Sequence, residues 1–158
     1  CSTFEGEASM YLEFAAERWQ KSQPDQLNIP EIPLLHKAAS TDMPFTLATD
    51  ALFQSLLDSR LAGAPADELA WQFHAGLAHQ ITAACCQARR QTGLATVALS
   101  GGVFQNHLLV DLAEKSLQTE KFTVLRHHLI PPNDGGICLG QAAAAMWHIN
   151  HSQSPKKE

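Results

Sequence analysis

The chain has 158 residues, of which 45% are hydrophobic and 17% charged, proportions that fit one soluble globular domain able to bury a core without covalent staples. Its formal net charge is -5, with Lys and Arg scattered rather than gathered into a run, which argues against a nucleic-acid interface built on phosphate electrostatics. No apolar run approaches the roughly 20 residues that span a bilayer, no signal-peptide pattern opens the chain, and Cys1, Cys85, Cys86 and Cys138 form no C-x-x-C pair, so a reduced, cytoplasmic setting without membrane or disulfide framework is expected.

The first residue is Cys1 rather than methionine, and the chain is expected to be a fragment of a longer protein. Ala8, Tyr11, Leu12, Ala15, Ala16 and Trp19 recur at helical spacing, which predicts a helix that buries that face. Pro24, Pro30, Pro33 and Pro44 predict loop or extended chain from Ser22 to Pro44, with a short strand near Leu27 to Ile32. A second helix is predicted from about Thr46 to Leu61, stopping at Gly63. Pro65 then opens a long core helix with the stripe Leu69, Ala70, Phe73, Leu77, Ile81, Ala84 and Cys85, ending near Thr92-Gly93.

Two short apolar runs follow, Thr96 to Leu99 and Phe122 to Leu125, separated by a helical stretch from about Asn106 to Leu117. Strand, helix, strand predicts a parallel pair with a right-handed crossover. After Pro131-Pro132, a glycine-rich turn leads into a helix from Ile137 to Ile149, whose Gly140 and Ala142 to Ala145 suit close packing on the sheet. Residues 150–158 are a polar tail expected to be disordered, which leaves 1–149 as the folded unit. The sum is a helix-rich α/β fold with a small, partly parallel sheet.

Two segments stand where a strand-side loop enters a helix. In Ser100-Gly101-Gly102-Val103, paired glycines let backbone approach a ligand, and N–H groups there suit phosphate oxygens. The same glycines could equally make a tight structural turn. Asn106 is placed either to reach a nucleoside or to cap the helix that follows. In Asn133-Asp134-Gly135-Gly136, Asp134 sits on flexible backbone and can take a divalent cation bridging phosphate oxygens, or can act as an N-cap. Both loops fall on one edge of the proposed sheet, where open α/β folds bind ligands. The paired histidines offer little to a metal: His74 and His79 fall on different sides of a helix, His127 and His128 point to opposite faces of an extended segment, and His148 and His151 lie close to the polar tail.

Phe4-Glu5-Gly6-Glu7-Ala8 with Leu12-Glu13, Phe73 to Ala78, Ser100 to Asn106, and Pro131 to Gly136 continuing into Leu139-Gly140-Gln141 together resemble the C-terminal end of the HypF family, the carbamoyltransferases that help mature nickel-iron hydrogenases. The lobe is also similar to that of the enzymes that make threonylcarbamoyladenosine in transfer RNA, and Phe104-Gln105 favours the hydrogenase branch. The resemblance implies one lobe of an actin-like, sugar-kinase-like ATPase fold. It implies that Gly101, Gly102 and Gly135 meet the phosphates of ATP or a carbamoyl-adenylate, that Asn106 holds the nucleoside, that Gly6 and Glu7 approach the ribose, and that Asp134 helps anchor a divalent metal. A His-x-x-x-His pair on the preceding lobe would complete that metal site, and no such spacing occurs in this chain. The implied partner is HypE, whose C-terminal cysteine accepts the carbamoyl group, and the implied setting is the missing upstream lobe, without which the fragment is expected to be inactive. Two other readings compete. An ATP pyrophosphatase loop would continue with Asp-Ser where Val103-Phe104 stands, and a non-catalytic nucleotide-binding module would bind without transfer.

Overall fold

In the computed structural model, which describes residues 3–4, 6–26, 29, 31–37 and 45–152, the long helix that follows Pro65 runs Ala66–Thr92 (α3) and is the axis on which the other elements pack. Its charges agree with the helix dipole, Asp67 and Glu68 in the first turn and Arg89 and Arg90 in the last. Gly93 closes it in the left-handed conformation, its N–H donating to Arg89 O at 2.8 Å. From Ala70 to Thr82 the helix is buried or half-buried on nearly every side, wider coverage than its apolar stripe implies.

Helix α1 (Glu7–Ser22) lies along α3, and Ala16, Ala70 and Ala75 keep the two backbones close, with Trp71 filling the contact. Arg18 adds a two-pronged ion pair to Asp67, both bonds 3.0 Å, on the exposed rim, where such a pair contributes about 0–1 kcal/mol. The buried face of α1 is the expected apolar one only in its second half, where Ala16 is buried and Ala15 and Trp19 are half-buried beside it. Glu13 and Ala16 are buried, whereas Ala8, Leu12 and Tyr11 are exposed, Tyr11 by 65%. The helix is turned so that the Glu13 carboxylate points inward, which leaves Met10, Tyr11, Leu12 and Phe14 on the surface.

The strand expected near Leu27 to Ile32 is not formed by the described part of that segment. Ile29, Glu31 and Ile32 are irregular, and Leu27, Asn28 and Pro30 lie outside the described residues. Pairing occurs later, as an antiparallel contact of β1 (Leu35–Lys37) with β2 (Phe45–Leu47), Leu35 opposite Leu47. The strand takes residues expected to start the next helix, so α2 runs Thr49–Leu61. Leu52 of α2 is buried against α3, and the Gln80 amide of α3 donates to Ala48 O at 2.8 Å.

Thr96–Leu99 (β3) and Thr123–Arg126 (β4) pair in parallel, Thr96 opposite Thr123, with His107–Thr119 (α4) as the crossover. Leu109, Ala113 and Leu117 of α4 pack with Leu99, Phe122 and Ala78 in one core. Arg89 covers the end of that core, its guanidinium 4.1 Å from the Phe122 ring centroid and donating to Glu120 O. The last helix, α5 (Ile137–Ser152), passes the expected end at Ile149; residues 153–158 of the expected tail lie outside the described residues. Its packing on the sheet is not realised. All of its side chains described are exposed, because the turn at Asp134–Gly136 leads it off the body while α4 occupies the sheet face.

Helices α2 and α3 cross closely at Gly76, where an added Cβ would stand 2.6 Å from Leu52 Cδ1. Leu52 is 1% exposed and has no room to swing away. Gly76→Leu is therefore expected to lower stability by about 1–3 kcal/mol through overpacking, read as a lower urea midpoint with an unchanged slope.

Candidate functional site

The first N–H groups of a helix have no partner within it, and at α4 they are met by two separate segments. The Asn106 side chain accepts from Leu109 N–H at 2.8 Å. Glu13, brought in by α1 and 8% exposed, accepts from His107 N–H at 2.7 Å and Leu108 N–H at 3.2 Å with one oxygen. A carboxylate there also complements the helix dipole.

His74 stands behind Asn106, 1% exposed. Its Nδ1 lies 2.7 Å from Ala70 O, which can only accept, so Nδ1 carries the proton and Nε2 presents a lone pair. Asn106 Nδ2, 2.9 Å from that lone pair, donates to it. The amide of Asn106 is thus oriented from both ends, its oxygen by a backbone N–H and one of its N–H groups by a buried imidazole. Burial pushes the His74 imidazole below its usual range, against smaller opposing effects of the Ala70 carbonyl and the Glu13 charge, so the ring is neutral at pH 7.

The two loops are joined directly. Gly101 adopts φ 108, open to glycine and strained for other residues, and its N–H donates to Pro132 O at 2.8 Å. The Ser100 hydroxyl meets His127 Nε2 at 3.0 Å. In the second loop Asn133 does the capping, accepting from Gly135 N–H with its side chain and from Gly136 N–H with its carbonyl. Gly136 passes so near the chain that a Cβ would stand 2.9 Å from Pro131 O. With Asn133 as the cap, the exposed Asp134 carboxylate has no hydrogen-bond partner among the described residues.

These parts face a cleft of about 1070 Å³, just beyond the range of about 300–1,000 Å³ usual for small-molecule and cofactor sites. Met10, Leu12, Phe14, Phe73 and Leu77 give it apolar walls, while Glu13, Asn106 and Asp134 give it polar ones. Of the residues singled out from sequence, Gly6, Gly102, Asn106, Asp134 and Gly135 line it. Gly101 is not in the lining, and its N–H is engaged by Pro132. Glu7 is not in the lining either, and its carboxylate accepts from the Thr3 N–H and hydroxyl. Glu13 and His74 complete the constellation without having been singled out as site residues. The signal for Glu13 was a carboxylate inside a strongly apolar helical stretch.

The donor set fits a cation only in part. Asp134 can supply one hard oxygen ligand, and among the described residues no cluster of three or more His, Cys, Asp or Glu could hold a metal ion. His74 is engaged with Asn106, His127 with Ser100, and His151 is stacked on Trp147 with ring centroids 4.4 Å apart, while His107 lines the cleft.

Because burial holds the folded pKa of His74 below the ordinary imidazole value of about 6.5, the unfolded chain binds the extra proton first. The stability that neutral His74 contributes is complete above about pH 6.5 and is lost as pH falls from there through the depressed folded pKa. His74→Gln is expected to flatten this part of the stability curve below about pH 6.5, measured as urea midpoint against pH; an unchanged slope would remove His74 from the pH response.

Residues 1–141 match the family described as carbamoyltransferase, Kae1-like domain, second subdomain. The HypF2 carbamoyltransferase of Cupriavidus necator is 33% identical over 157 residues, covering 90% of this chain and 19% of that protein. The HypF carbamoyltransferase of Rhodobacter capsulatus is 36% identical over 146 residues, covering 90% of this chain and 16% of its own. Among solved structures, full-length HypF in the phosphate- and nucleotide-bound form superposes with a TM-score of 0.77 at 25% identity, over 98% of this chain and 18% of that one. The HypF of T. kodakarensis gives 0.71 at 26% identity over 95% of this chain. The chain thus spans less than a fifth of the length of these relatives.

Proposed function

The chain belongs to the HypF carbamoyltransferase family, as the second subdomain of its Kae1-like domain, and from that premise we propose that it forms the nucleotide-holding half of a carbamoyl-transfer site. The whole protein would use carbamoyl phosphate and ATP in the cytoplasm and pass the carbamoyl group to the C-terminal cysteine of HypE. The observation that carries this reading is the convergence of Gly6, Gly102, Asn106, Asp134 and Gly135 on one cleft. A relative of the same fold that was crystallised with phosphate and nucleotide supports it.

In this reading the apolar wall of Met10, Leu12 and Phe73 receives the base of ATP or carbamoyl-adenylate. Asn106 Nδ2 has one N–H engaged by His74, so its second N–H is the donor left for an acceptor on the nucleoside. Gly102 brings backbone close to the phosphates, and Gly101 shapes the turn that puts it there. Gly6 borders the ribose side, and Glu7, expected there too, is turned to Thr3 instead. Asp134 contributes one oxygen to a divalent cation whose remaining ligands come from outside this chain. Such a cation, when bound, neutralises phosphate charge. The part played by these residues is binding and charge stabilisation, and none of the cysteines of this chain acts as a nucleophile.

The test belongs in the full-length protein. Asn106→Ser keeps an oxygen for the cap but removes the amide donor, and is expected to raise the nucleotide Kd roughly tenfold, the equivalent of one lost hydrogen bond. Asp134→Ala is expected to abolish carbamoylation of the partner thiol. Both variants should still hydrolyse carbamoyl phosphate. Transfer at the normal rate by both would sink the proposal.

A further inference from the structure

Beside the cleft lies a second cavity of about 510 Å³, at the carboxyl ends of β3 and β4, the edge on which open parallel sheets bind ligands. Gln105, His107 and Asn133 line both, so the two spaces adjoin. The wall of the second is held from two directions. The Ser100 hydroxyl meets His127 Nε2 at 3.0 Å, and Gly101 N–H donates to Pro132 O at 2.8 Å.

The two spaces differ in charge. Glu13, Glu17 and Asp134 line the cleft, whereas no Asp or Glu lines the second cavity, in a chain whose net charge is -5. Arg126, the last residue of β4, reaches Asp111 and Glu114 with Nη1 alone, at 3.1 and 2.9 Å. Its Nε and Nη2 have no acceptor among the described residues, and neither have the imidazoles of His107 and His128. The cavity is therefore lined by donors without acceptors. A guanidinium fork matches the two oxygens of a carboxylate. Asp111 and Glu114 orient that fork and also offset its charge, which suits a singly charged carboxylate better than a phosphate dianion. Leu99, Phe104 and Val110 add apolar surface for the chain that carries it.

We propose that this cavity seats the end of the acceptor polypeptide, its terminal carboxylate on Arg126 and His128 and its last side chain directed past His107 into the cleft. In a terminal residue the carboxylate and the side chain spring from one Cα, so their two sites have to adjoin, as these do. The proposal rests on the carbamoyl-transfer reading and adds the recognition of the acceptor: a cysteine within a chain has no carboxylate to place there.

The test uses the full-length protein with ATP, carbamoyl phosphate and HypE made by ligation, its terminal cysteine either the free acid or the carboxamide. The carboxamide is expected to raise KM for HypE roughly tenfold, the weight of a charge-assisted contact, with kcat little changed. Arg126→Gln and His128→Ala should raise KM for the acid by a similar factor and bring acid and amide close together. The His128 side chain makes no bond within the described fold, so its variant reads recognition without loss of stability. Nucleotide Kd and carbamoyl phosphate hydrolysis should keep their wild-type values in both. Equal KM for acid and amide in the wild type would overturn the proposal, as would a gap between them that both variants preserve. Transfer to neither form would remove the carbamoyl-transfer reading and the proposal with it.

Discussion

The N-terminus of α4 is the point on which the arrangement depends. Its free N–H groups have to be satisfied, and the acceptors arrive from two places, Glu13 on α1 and the side chain of Asn106. Burying Glu13 is tolerable because its charge is used: one oxygen takes two backbone N–H groups at the positive end of a helix. The same requirement explains why α1 turns a carboxylate inward and leaves apolar residues in water. Once α1 is held in that rotation, Met10, Leu12 and Phe14 stand along the cleft instead of in the core. A helix-capping problem thereby decides the chemistry of one wall of the site.

Asn106 shows why the alternatives of cap and ligand are not exclusive. An amide has an oxygen and two N–H groups. The oxygen caps Leu109, one N–H is held by His74, and the last is left as a donor of fixed direction. His74 in turn owes its tautomer to Ala70 O and its neutrality to burial. A protonated ring would present N–H at both nitrogens and lose its hold on the amide. Order in this part of the cleft therefore rests on a chain of hydrogen bonds whose direction is set at both ends by backbone groups.

Much of the framework was legible in the sequence because it is written locally. The β3, α4 and β4 unit follows from two short apolar runs around an amphipathic stretch, and Pro65 and Gly93 bracket α3. The face of α1 was legible only in the half that carries Ala15, Ala16 and Trp19, because apolar periodicity gives no weight to a carboxylate that a distant helix needs. The strands β1 and β2, at three residues each, are too short to carry an alternation. The cleft loops were visible as glycine and asparagine patterns, yet which N–H groups face the cleft and which close the loops depends on the bond from Gly101 to Pro132 O, between residues far apart in sequence.

Helix α5 is the instructive failure, since composition marked it correctly as a helix while its expected packing on the sheet is not realised. Small residues such as Gly140 and Ala142 to Ala145 permit close approach to any partner, a sheet or another helix alike. Here the sheet is small, and α4 already covers it.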